Sequence, residues 1–255
     1  MKTAAIIQAR MASTRLPGKV LFPLGATTVL GQLVDRLSLS EQLTGIVVAI
    51  PDTPKDEVLV HACRALRVHC FQGDENDLLN RFFEAATKFE IETIVRITAD
   101  CPFFDPFLMD EMLVEFARWN QSGVSTDYYT NCTLRRTFPR GLDVEIFTRD
   151  ALEKTHLEAK QPHEREHVTP YIYTHPDRFR LRSRECATDM SEHRWVLDTD
   201  ADWRFILKVN EALAKPDGIF TTDEIQEYLQ THSDLKNLNA EVEQKNADNR
   251  FDEIE

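Results

Sequence analysis

The sequence has fewer positively than negatively charged residues. Its 255 residues include 30 lysines and arginines against 43 aspartates and glutamates, which gives a formal net charge of -13 at pH 7. A general nucleic-acid-binding protein is usually basic. The composition therefore argues against a nucleic-acid partner and predicts that any polyanion binds at one local site.

The sequence also lacks the features of a secreted or membrane-bound protein. No apolar run approaches the length of a membrane-spanning helix, and the first residues do not follow the order of a signal peptide. The five cysteines are scattered, odd in number and without C-x-x-C spacing. Such cysteines are typical of reduced thiols, so these absences together predict a cytoplasmic protein with no membrane contact.

Short apolar runs and amphipathic helical patterns alternate over the first 120 residues. The runs are typical of buried strands, and the helical patterns repeat apolar residues every three or four positions. The predicted strands are 4–9, 46–50, 68–71 and 93–97, and the predicted helices are 28–39, 58–66, 78–86 and 107–119. This alternation predicts an α/β fold, a mostly parallel sheet flanked by helices on both faces.

The pattern changes after residue 123, where β-type runs replace the strand–helix alternation. Residues 141–147 alternate with period two, which is typical of a strand with one buried face. We therefore expect residues 124–184 to be a β-rich insertion that binds an acceptor or forms a dimer arm. The chain would form one domain over residues 1–236, and the polar, acidic residues 237–255 would be a mobile tail.

A basic loop follows the first predicted strand. Arg10, Arg15 and Lys19 lie within ten residues of one another. Compared with the Walker loop, the first glycine is replaced by Ser13 and the last hydroxyl by Val20, so side-chain cations would have to bind a triphosphate. Ligands of open α/β sheets bind at this carboxyl end of the strands. The alternative is a solvated basic loop.

Two acidic positions follow other predicted strands. Asp100 comes directly after the fourth strand, while Asp198 and Asp200 follow the apolar run 195–197. Carboxylates that converge from separate strands suit magnesium, which prefers hard oxygen ligands together with phosphate oxygens. Each aspartate could instead cap the helix that follows it. The basic loop on the first strand favours the metal interpretation.

Six motifs in order along most of the chain resemble one enzyme family, the cytidylyltransferases that make CMP-activated acidic sugars. The resemblance is strongest to the branch of the spore coat polysaccharide biosynthesis protein F. The motifs are Ile7-Gln8-Ala9-Arg10 through Arg15-Leu16-Pro17-Gly18-Lys19, Gly73-Asp74-Glu75-Asn76-Asp77 with Arg81, Val95 to Pro102, Phe138-Pro139-Arg140-Gly141-Leu142-Asp143-Val144-Glu145 with Tyr128 and Asn131, Arg165-Glu166-His167, and Leu197 to Asp202.

The resemblance implies a Rossmann-like, GT-A-like nucleotidyltransferase fold, CTP as donor, Mg²⁺ as cofactor with Mn²⁺ as a substitute, and a homodimer. Two departures leave the charged groups intact. Met11-Ala12 stands where the family often has a glycine, and residues 198–201 replace the commoner Asp-Thr-Pro-Glu.

The resemblance also implies roles for individual residues. Arg10, Lys19 and Asp100 would be catalytic, and Asp100, Asp198 and Asp200 would hold the metal. Arg81 could equally be a cation on a helix surface. The expected CTP-binding residues are Gln8, Ala9, Arg10, Ser13, Arg15, Lys19, Gly73, Asp74, Asp77 and Arg81.

The acceptor site is expected in the second half of the chain. An arginine suits the carboxylate of an acidic sugar, and Arg136, Arg140 and Arg165 are open candidates. Asp143 and Glu145 could instead form the polar face of a strand. The expected acceptor-binding residues are Asn131, Arg140, Gly141, Asp143, Glu145, Arg165 and Glu166.

Residues 163–167 also match the H-E-x-x-H pattern of zinc proteases. Pro162 places the pattern in the first turn of a helix, both middle positions are charged, and no clear third ligand follows. A charged helix start, whose glutamates suit the positive end of the helix dipole, explains the pattern better.

The predicted function is transfer of CMP from CTP to a hydroxyl of an acidic sugar, with release of pyrophosphate, for surface polysaccharide biosynthesis. The sugar would be a nonulosonic acid such as sialic, legionaminic or pseudaminic acid, or a Kdo-like acid. The alternatives are CMP transfer to a phosphorylated or phosphonate small acid, and a non-catalytic nucleotide-binding subunit.

Overall fold

A mixed β-sheet forms the centre of the molecule in the computed structural model, which describes residues 1–215 and 217–243. Within these residues the sheet has seven strands in the order β5-β4-β1-β6-β8-β7-β9, and β2 and β3 form a separate hairpin. The strands are β1 (Thr3–Gln8), β2 (Pro23–Leu24), β3 (Thr27–Thr28), β4 (Gly45–Pro51), β5 (His69–Gly73), β6 (Thr93–Thr98), β7 (Tyr128–Thr130), β8 (Glu145–Thr148) and β9 (Leu181–Ser183).

Helices cover both faces of the sheet. The α-helices of the described residues are α1 (Val29–Leu37), α2 (Glu57–Leu66), α3 (Leu78–Lys88), α4 (Pro106–Gln121), α5 (Arg149–Glu158), α6 (Pro162–His167), α7 (Pro170–Tyr173), α8 (Asp200–Leu213), α9 (Thr222–Thr231) and α10 (Ser233–Lys236). Helices α8, α9 and α10 pack in a separate hydrophobic cluster. In the described part of the chain, no helix is both long and apolar enough to cross a membrane.

The central strand β1 is buried on both faces. Ala5 and Ile7 contribute to one hydrophobic core, together with residues of α1, α2 and α4. Ala4 and Ile6 contribute to the other, with residues of α3 and α5. Successive side chains of a strand point to opposite faces, so a strand covered on both sides must be apolar throughout. This explains the continuous apolar run at the start of the sequence.

Strands β5, β4, β1 and β6 are parallel neighbours, which confirms the predicted fold class. Their carboxyl ends therefore meet at one edge of the sheet. The loops after β1 and β6 become neighbours there because Gln8 pairs in register with Thr98. The basic loop and Asp100 thus leave the sheet side by side.

The predicted insertion at residues 124–184 instead completes the sheet. Strand β8 pairs antiparallel with β6, β7 pairs antiparallel with β8, and β9 pairs parallel with β7. These strands are short, and α5, α6 and α7 contain more residues of the segment than the strands do. The expectation of a β-rich segment set on the sheet was therefore wrong. Period-two alternation revealed β8, but its partner strand could not be identified from local pattern.

The predicted boundary at residue 237 is also wrong within the described residues. Asn239 is 4% exposed, and its side chain donates hydrogen bonds to the carbonyl of Arg194 and to Asp202 Oδ1, at 2.8 and 3.0 Å. The chain thus stays packed on the body at least to this asparagine. The rest of the predicted tail, residues 244–255, lies outside the described residues.

Candidate active site

The loop after β1 is held in shape by its own hydrogen bonds. The carbonyl of Met11 accepts from the backbone N–H groups of Ser13 and Gly18, at 3.1 and 2.9 Å. The Ser13 hydroxyl accepts from the N–H of Leu16 at 3.3 Å, and Gly18 has a φ of 72°. Positive φ is easy for glycine, so Gly18 allows the turn that brings Lys19 back to the strand ends. In this arrangement Ser13 supports the loop.

Asp56 holds the loop from the neighbouring strand end, a role that the sequence reading missed. Its carboxylate is fully buried and accepts from the N–H of Met11 at 2.7 Å and from the hydroxyl of Thr53 at 2.5 Å. Burial of a carboxylate is costly unless hydrogen bonds compensate it, and these two contacts do so. Its position beside Pro54 resembles an ordinary helix start, so local pattern gave no signal of the tertiary contact.

Lys19 brings the two predicted metal ligands together. Its ammonium Nζ lies 2.7 Å from Asp100 Oδ2 and 3.1 Å from Asp198 Oδ1, and it also donates to the carbonyl of Leu197 at 2.7 Å. Lys19 is only 9% exposed. The run before Asp198 is anchored to β6 because the N–H of Leu197 donates to the carbonyl of Asp100 at 2.8 Å. Two carboxylates and one ammonium therefore meet at the carboxyl edge of the sheet.

Asp198 receives two further cations. Arg15 forms an ion pair with Asp198 Oδ2, and Arg194 Nη2 lies 3.6 Å from the same oxygen. Arg194 also forms a buried pair with Asp202 through Nε and Nη2, at 2.8 and 3.2 Å. Arg194 and Asp202 were not among the predicted site residues. Asp202 also accepts from the N–H of Asp198 at 3.0 Å, so Arg194 and Asp202 together hold the segment that carries Asp198.

Other residues cap the helices that follow these acids. Asp105 caps α4, and Thr199 and Asp202 form the capping box of α8. Asp100 and Asp198 cap neither helix. Asp200 is the first residue of α8 and is exposed. The structure thus brings Asp100 and Asp198 together and leaves Asp200 at the helix start, where an acid suits the dipole.

The electrostatics around Asp100 favour its charged form. Burial by itself would raise the pKa of this carboxyl, but the Lys19 ammonium and hydrogen bonds hold the pKa below its usual value. The neighbouring Cys101 thiol responds in the opposite sense, because burial and then the charge of Asp100 raise its pKa well above normal. Cys101 is therefore a neutral thiol beside an ionised carboxylate.

The residues present fit a divalent cation that is completed by substrate. In the described part of the chain, no group of three or more His, Cys, Asp or Glu side chains is arranged around one metal position. Magnesium, however, is commonly held by one or two carboxylates together with phosphate oxygens. Asp100 and Asp198 provide that pair, and a positive charge, the Lys19 ammonium, already lies between them.

Arg10 is placed differently from the other two loop cations. It is exposed, and its side chain forms no hydrogen bond or ion pair with any described residue of the chain. Its charge contributes to lowering the pKa of the nearby Arg81 to about 10, after the larger effect of burial. Gln8 points elsewhere, since its side-chain oxygen accepts from Arg96 Nε at 3.1 Å, and Ala9 is buried.

The predicted base-side loop after β5 is shaped by Arg81. This arginine is 3% exposed and donates to the carbonyl of Asp74 from Nε and Nη2, at 3.0 and 2.5 Å, and to that of Glu75 at 3.2 Å. It is therefore neither a surface cation nor free to bind a base directly. Gly73 packs against it, since a Cβ there would lie 3.1 Å from Arg81 Cγ.

Asp77 links this loop to the second half of the chain. One carboxylate oxygen accepts from the N–H of Asn80 at 2.9 Å and caps α3. The other accepts from Arg165 Nε and Nη2, at 2.8 and 2.7 Å. Arg165 also donates to the carbonyls of His156 and Ala159. Arg165, which was expected to contact the acceptor, thus links α6 to the base-side loop through Asp77.

Two predicted acceptor residues use their polar atoms in buried contacts within the protein. Asn131 is fully buried and bonds the backbone of Leu142 and Val144 through its amide, at 2.7 and 2.8 Å. Glu145 is 3% exposed and accepts from Tyr128 at 2.5 Å and Thr169 at 2.6 Å, while also pairing with Arg96. As placed, neither side chain has a polar atom left to turn toward a substrate.

Arginines 136 and 140 remain beside the site. Arg136 pairs bidentately with Asp143, at 2.6 and 3.0 Å. The Arg140 side chain forms no hydrogen bond or ion pair with another described residue, and burial, followed by the charge of Arg136, lowers its pKa. Its backbone pairs with the run that leads to Asp198, donating to the carbonyl of His193 at 3.0 Å and accepting from the N–H of Trp195 at 2.7 Å.

Gly141 lets the acceptor segment pass close to this run. Its φ is 105°, and a Cβ would lie 2.6 Å from the carbonyl oxygen of Trp195. Real Cβ atoms do not approach that closely, so any side chain would push the segment away. This glycine therefore fixes where Arg140 lies relative to the run 195–197 that leads to Asp198.

The H-E-x-x-H pattern lies on α6, which is six residues long. The Glu164 carboxylate accepts from the backbone N–H groups of Lys160 and Gln161, at 3.0 and 2.9 Å, as part of a capping box. A glutamate engaged in this way cannot act as the base of a zinc protease. The interpretation as a charged helix start is confirmed, and Glu166 is exposed on the same helix.

Comparison with known proteins places this geometry in context. The family model described as cytidylyltransferase matches residues 4–247. An uncharacterised protein of Methanocaldococcus jannaschii is 36% identical, with 96% of this chain and 97% of that protein covered. The spore coat polysaccharide biosynthesis protein SpsF of Bacillus subtilis is 34% identical, with 79% and 83% covered. A solved cytidylyltransferase structure from Leptospira borgpetersenii is 34% identical, with a TM-score of 0.86 and 92% and 97% covered.

Proposed function

This chain belongs to the cytidylyltransferase family and is a CTP-dependent nucleotidyltransferase, and we propose that it transfers CMP to a hydroxyl group of an acidic sugar. The acceptor would be a nonulosonic acid, such as sialic, legionaminic or pseudaminic acid, or a Kdo-like acid. The product would serve surface polysaccharide biosynthesis, the role that the name of the Bacillus subtilis relative gives to that protein.

One observation carries the proposal. Lys19 Nζ lies 2.7 Å from Asp100 and 3.1 Å from Asp198, at the edge of the sheet where the carboxyl ends of β1 and β6 meet. Phosphoryl-type displacements depend on positioning and on charge stabilisation rather than on covalent chemistry by the protein. A site built from two carboxylates and several cations meets both requirements.

In the proposed reaction, a sugar hydroxyl oxygen forms a bond to the α-phosphorus of CTP. The bond from that phosphorus to the bridging oxygen breaks, and pyrophosphate leaves. Arg10, Arg15 and Lys19 would bind the phosphates and offset their negative charge. Asp100 and Asp198 would hold a divalent cation, Mg²⁺ or Mn²⁺. That cation, when bound, would polarise the α-phosphate and lower the pKa of the attacking hydroxyl.

The available arginine supports an acid as acceptor. Arg136 is paired with Asp143 and Arg165 with Asp77, whereas the side chain of Arg140 has no hydrogen bond or ion pair within the described residues. A guanidinium binds a carboxylate through two parallel hydrogen bonds. We therefore assign to Arg140 the recognition of the sugar carboxylate, close to the metal-binding aspartates.

Cytosine would be read by the backbone of residues 73–77. The Asp74 carboxylate accepts from the N–H groups of Asn76 and Asp77, at 2.7 and 3.2 Å, and Arg81 holds two carbonyls of the loop. A loop fixed in this way can present backbone donors and acceptors to one base edge. Arg81 would thus act through the loop and not through direct contact with the base.

The proposal also covers localisation and oligomeric state. The free cysteines, Cys63, Cys70, Cys101, Cys132 and Cys186, suit the reducing cytoplasm. A homodimer is expected from the family resemblance, and light scattering on the purified protein would test it.

The test is an assay of pyrophosphate release with CTP, Mg²⁺ and a panel of acidic sugars. We expect release with at least one nonulosonic acid or Kdo, and none with neutral sugars of the same ring size. ATP, GTP and UTP serve as donor controls. No release with any acid, together with no binding of CTP by calorimetry, would contradict the proposal. Release with phosphonate or phosphorylated acids alone would point to a different acceptor class.

A further inference from the structure

We propose that Lys19 and Arg15 block the metal site until the triphosphate arrives, so that a divalent cation binds tightly only together with CTP. The inference rests on the proposed function, because it concerns the same two aspartates. It adds that the metal binds tightly only with CTP, and that the two loop cations pair with the metal-binding carboxylates before CTP arrives. Both would exchange a carboxylate for a phosphate when the nucleotide binds.

The Lys19 ammonium lies between the two aspartates and has a partner for each of its donors. An ammonium has three N–H donors, and Nζ of Lys19 has three acceptors: Asp100 Oδ2 at 2.7 Å, Leu197 O at 2.7 Å and Asp198 Oδ1 at 3.1 Å. A magnesium ion would need carboxylate oxygens at about 2.0–2.1 Å. The ammonium and the metal ion would compete for the same two carboxylates. The metal can bind both aspartates only if Lys19 moves.

Cations crowd around Asp198. Arg15 pairs with Oδ2 and Lys19 with Oδ1, and Arg194 lies 3.6 Å from Oδ2. Both oxygens of this carboxylate are therefore already engaged. Arg15 and Lys19 reach Asp198 through long side chains that can change rotamer without a shift of the loop backbone. The Arg194 side chain, in contrast, is 6% exposed and tied to Asp202.

The ion pairs around the two aspartates are balanced in charge. Within the described residues, Asp100, Asp198 and Asp202 face Lys19, Arg15 and Arg194, so three acids meet three bases. The side chains of Lys19, Asp100 and Asp198 are 11%, 22% and 18% exposed. A bare dication would enter a partly desolvated site that is already neutral and would meet repulsion from three cations. The free carboxylate charge that a metal requires is missing.

A nucleoside triphosphate changes this balance because it brings about four negative charges at neutral pH. Its phosphates offer new partners to Lys19 and Arg15, and the long, flexible stem of lysine allows its ammonium to follow them. Asp100 and Asp198 are then freed for the metal, which also contacts the phosphates. Binding of CTP and of metal would each strengthen the other by the same factor, as linkage requires.

The test measures binding of Mn²⁺, by the electron paramagnetic resonance signal of the free ion, with and without CTP. It compares the wild type with Lys19→Met, which keeps much of the side-chain length but removes the charge. We expect wild type to bind Mn²⁺ at least about tenfold more tightly with CTP than without it. Lys19→Met should bind Mn²⁺ alone about tenfold more tightly than wild type does, and its melting temperature should rise on adding Mn²⁺.

The matched control is Lys215→Met, which breaks a lysine–carboxylate pair with Glu224 far along the chain, at 2.8 Å. It should bind Mn²⁺ as wild type does. Arg15→Met is the second variant in case Lys19→Met does not fold, and it should shift Mn²⁺ affinity in the same direction.

The inference is overturned if wild type binds Mn²⁺ equally well with and without CTP, or if neither folded variant gains affinity for Mn²⁺ alone. Those outcomes leave the proposed function intact. Failure of wild type to bind Mn²⁺ even with CTP would instead remove the metal from the proposed function, and the inference with it.

Discussion

Two regions of this molecule contain similar charged residues but use them in opposite ways. At the carboxyl edge of β1 and β6, the side chains of Asp100 and Asp198 remain 22% and 18% exposed and meet cations from a different loop. In the antiparallel part of the sheet, Glu145 is 3% exposed and bonded to three residues around it. The sequence predicts a substrate contact in both regions. The first region keeps its carboxylates at the ligand edge of the sheet, whereas the second uses its carboxylate to hold neighbouring side chains.

Position relative to the strand explains the difference. Asp100 follows the last residue of β6, so the topology of a parallel sheet carries it to the common ligand edge. Glu145 is the first residue of β8 and pairs with Arg96 inside the sheet. A charge within a covered strand must be satisfied locally, because its desolvation is costly without partners. A polar residue just after a parallel strand is therefore a better candidate for substrate contact than a polar residue inside a covered strand.

The largest expected effect concerns stability in the antiparallel region. Glu145→Ala removes the carboxylate of a buried ion pair with Arg96 and the acceptor that Tyr128 and Thr169 share. We expect the free energy of unfolding to fall by about 3–5 kcal/mol, measured by urea denaturation. Glu166→Ala, on the exposed face of α6, is the control and should change it by less than about 0.5 kcal/mol. If Glu145→Ala is as stable as Glu166→Ala, the buried contacts of Glu145 do not stabilise the fold as proposed.

The next effect concerns turnover at the ligand edge. Asp198→Asn should lower kcat by on the order of 10²–10³-fold with little loss of stability, because a preorganised charge at the reacting phosphate is removed. Asp200→Asn is the matched change two residues later, at the exposed start of α8. It should stay within about twofold of wild type. If both variants lose activity equally, Asp200 belongs to the metal site as the sequence suggested.

Arg140 tests whether any charge of the acceptor segment contacts substrate. Arg140→Ala should raise KM for the acidic sugar by about 10–100-fold, since a charge-assisted hydrogen-bonded pair contributes about 1.5–3 kcal/mol. The KM for CTP should not change. Arg135→Ala, whose side chain is 69% exposed in a pair with Glu185, serves as the control. An increase in KM for CTP alone would place Arg140 in the nucleotide site instead.

The smallest effect is the acid dependence of stability at the ligand edge. Lys19 holds the folded-state pKa of Asp100 below its usual value despite burial. A carboxyl with a lowered folded pKa contributes stability above its unfolded pKa of about 3.9, and this contribution is lost as pH falls below that value. Urea denaturation at pH values between 7 and 3 should therefore show a shallower acid loss for Asp100→Asn than for wild type. Identical pH profiles would contradict the pairing with Lys19.

Much of the fold could be predicted from local pattern. The continuous apolar run of β1 and its alternation with helices identified a parallel sheet, because only strands covered on both faces are apolar throughout. The antiparallel end was misjudged. Strand β7 has three residues, too few for periodicity to be visible, and its partner β9 lies about fifty residues later.

The site residues also fall into two groups, those that local sequence features predict and those that depend on distant contacts. Lys19, Asp100 and Asp198 were found because motif order and strand-end position both pointed to them, and the structure brings all three together. Asp56, Arg194 and Asp202 were missed because their task is to hold other residues through contacts distant in sequence. Arg81 and Arg165 were expected at substrate, and in the structure they contact loop carbonyls and Asp77. Their partners could not be predicted, because the residues next to a long side chain in sequence do not determine which distant group it reaches.

The sequence by itself determined the family, the parallel half of the sheet and the set of charges that a triphosphate requires. These follow from residue type, order and periodicity, which are properties of the chain. Only the tertiary structure decided which charges face one another. Arg136 and Arg165 are paired with carboxylates while Arg140 is not, and Lys19 lies between the two aspartates meant for a metal. Ion pairing is short-ranged and depends on where distant segments pack, so no local pattern can report it.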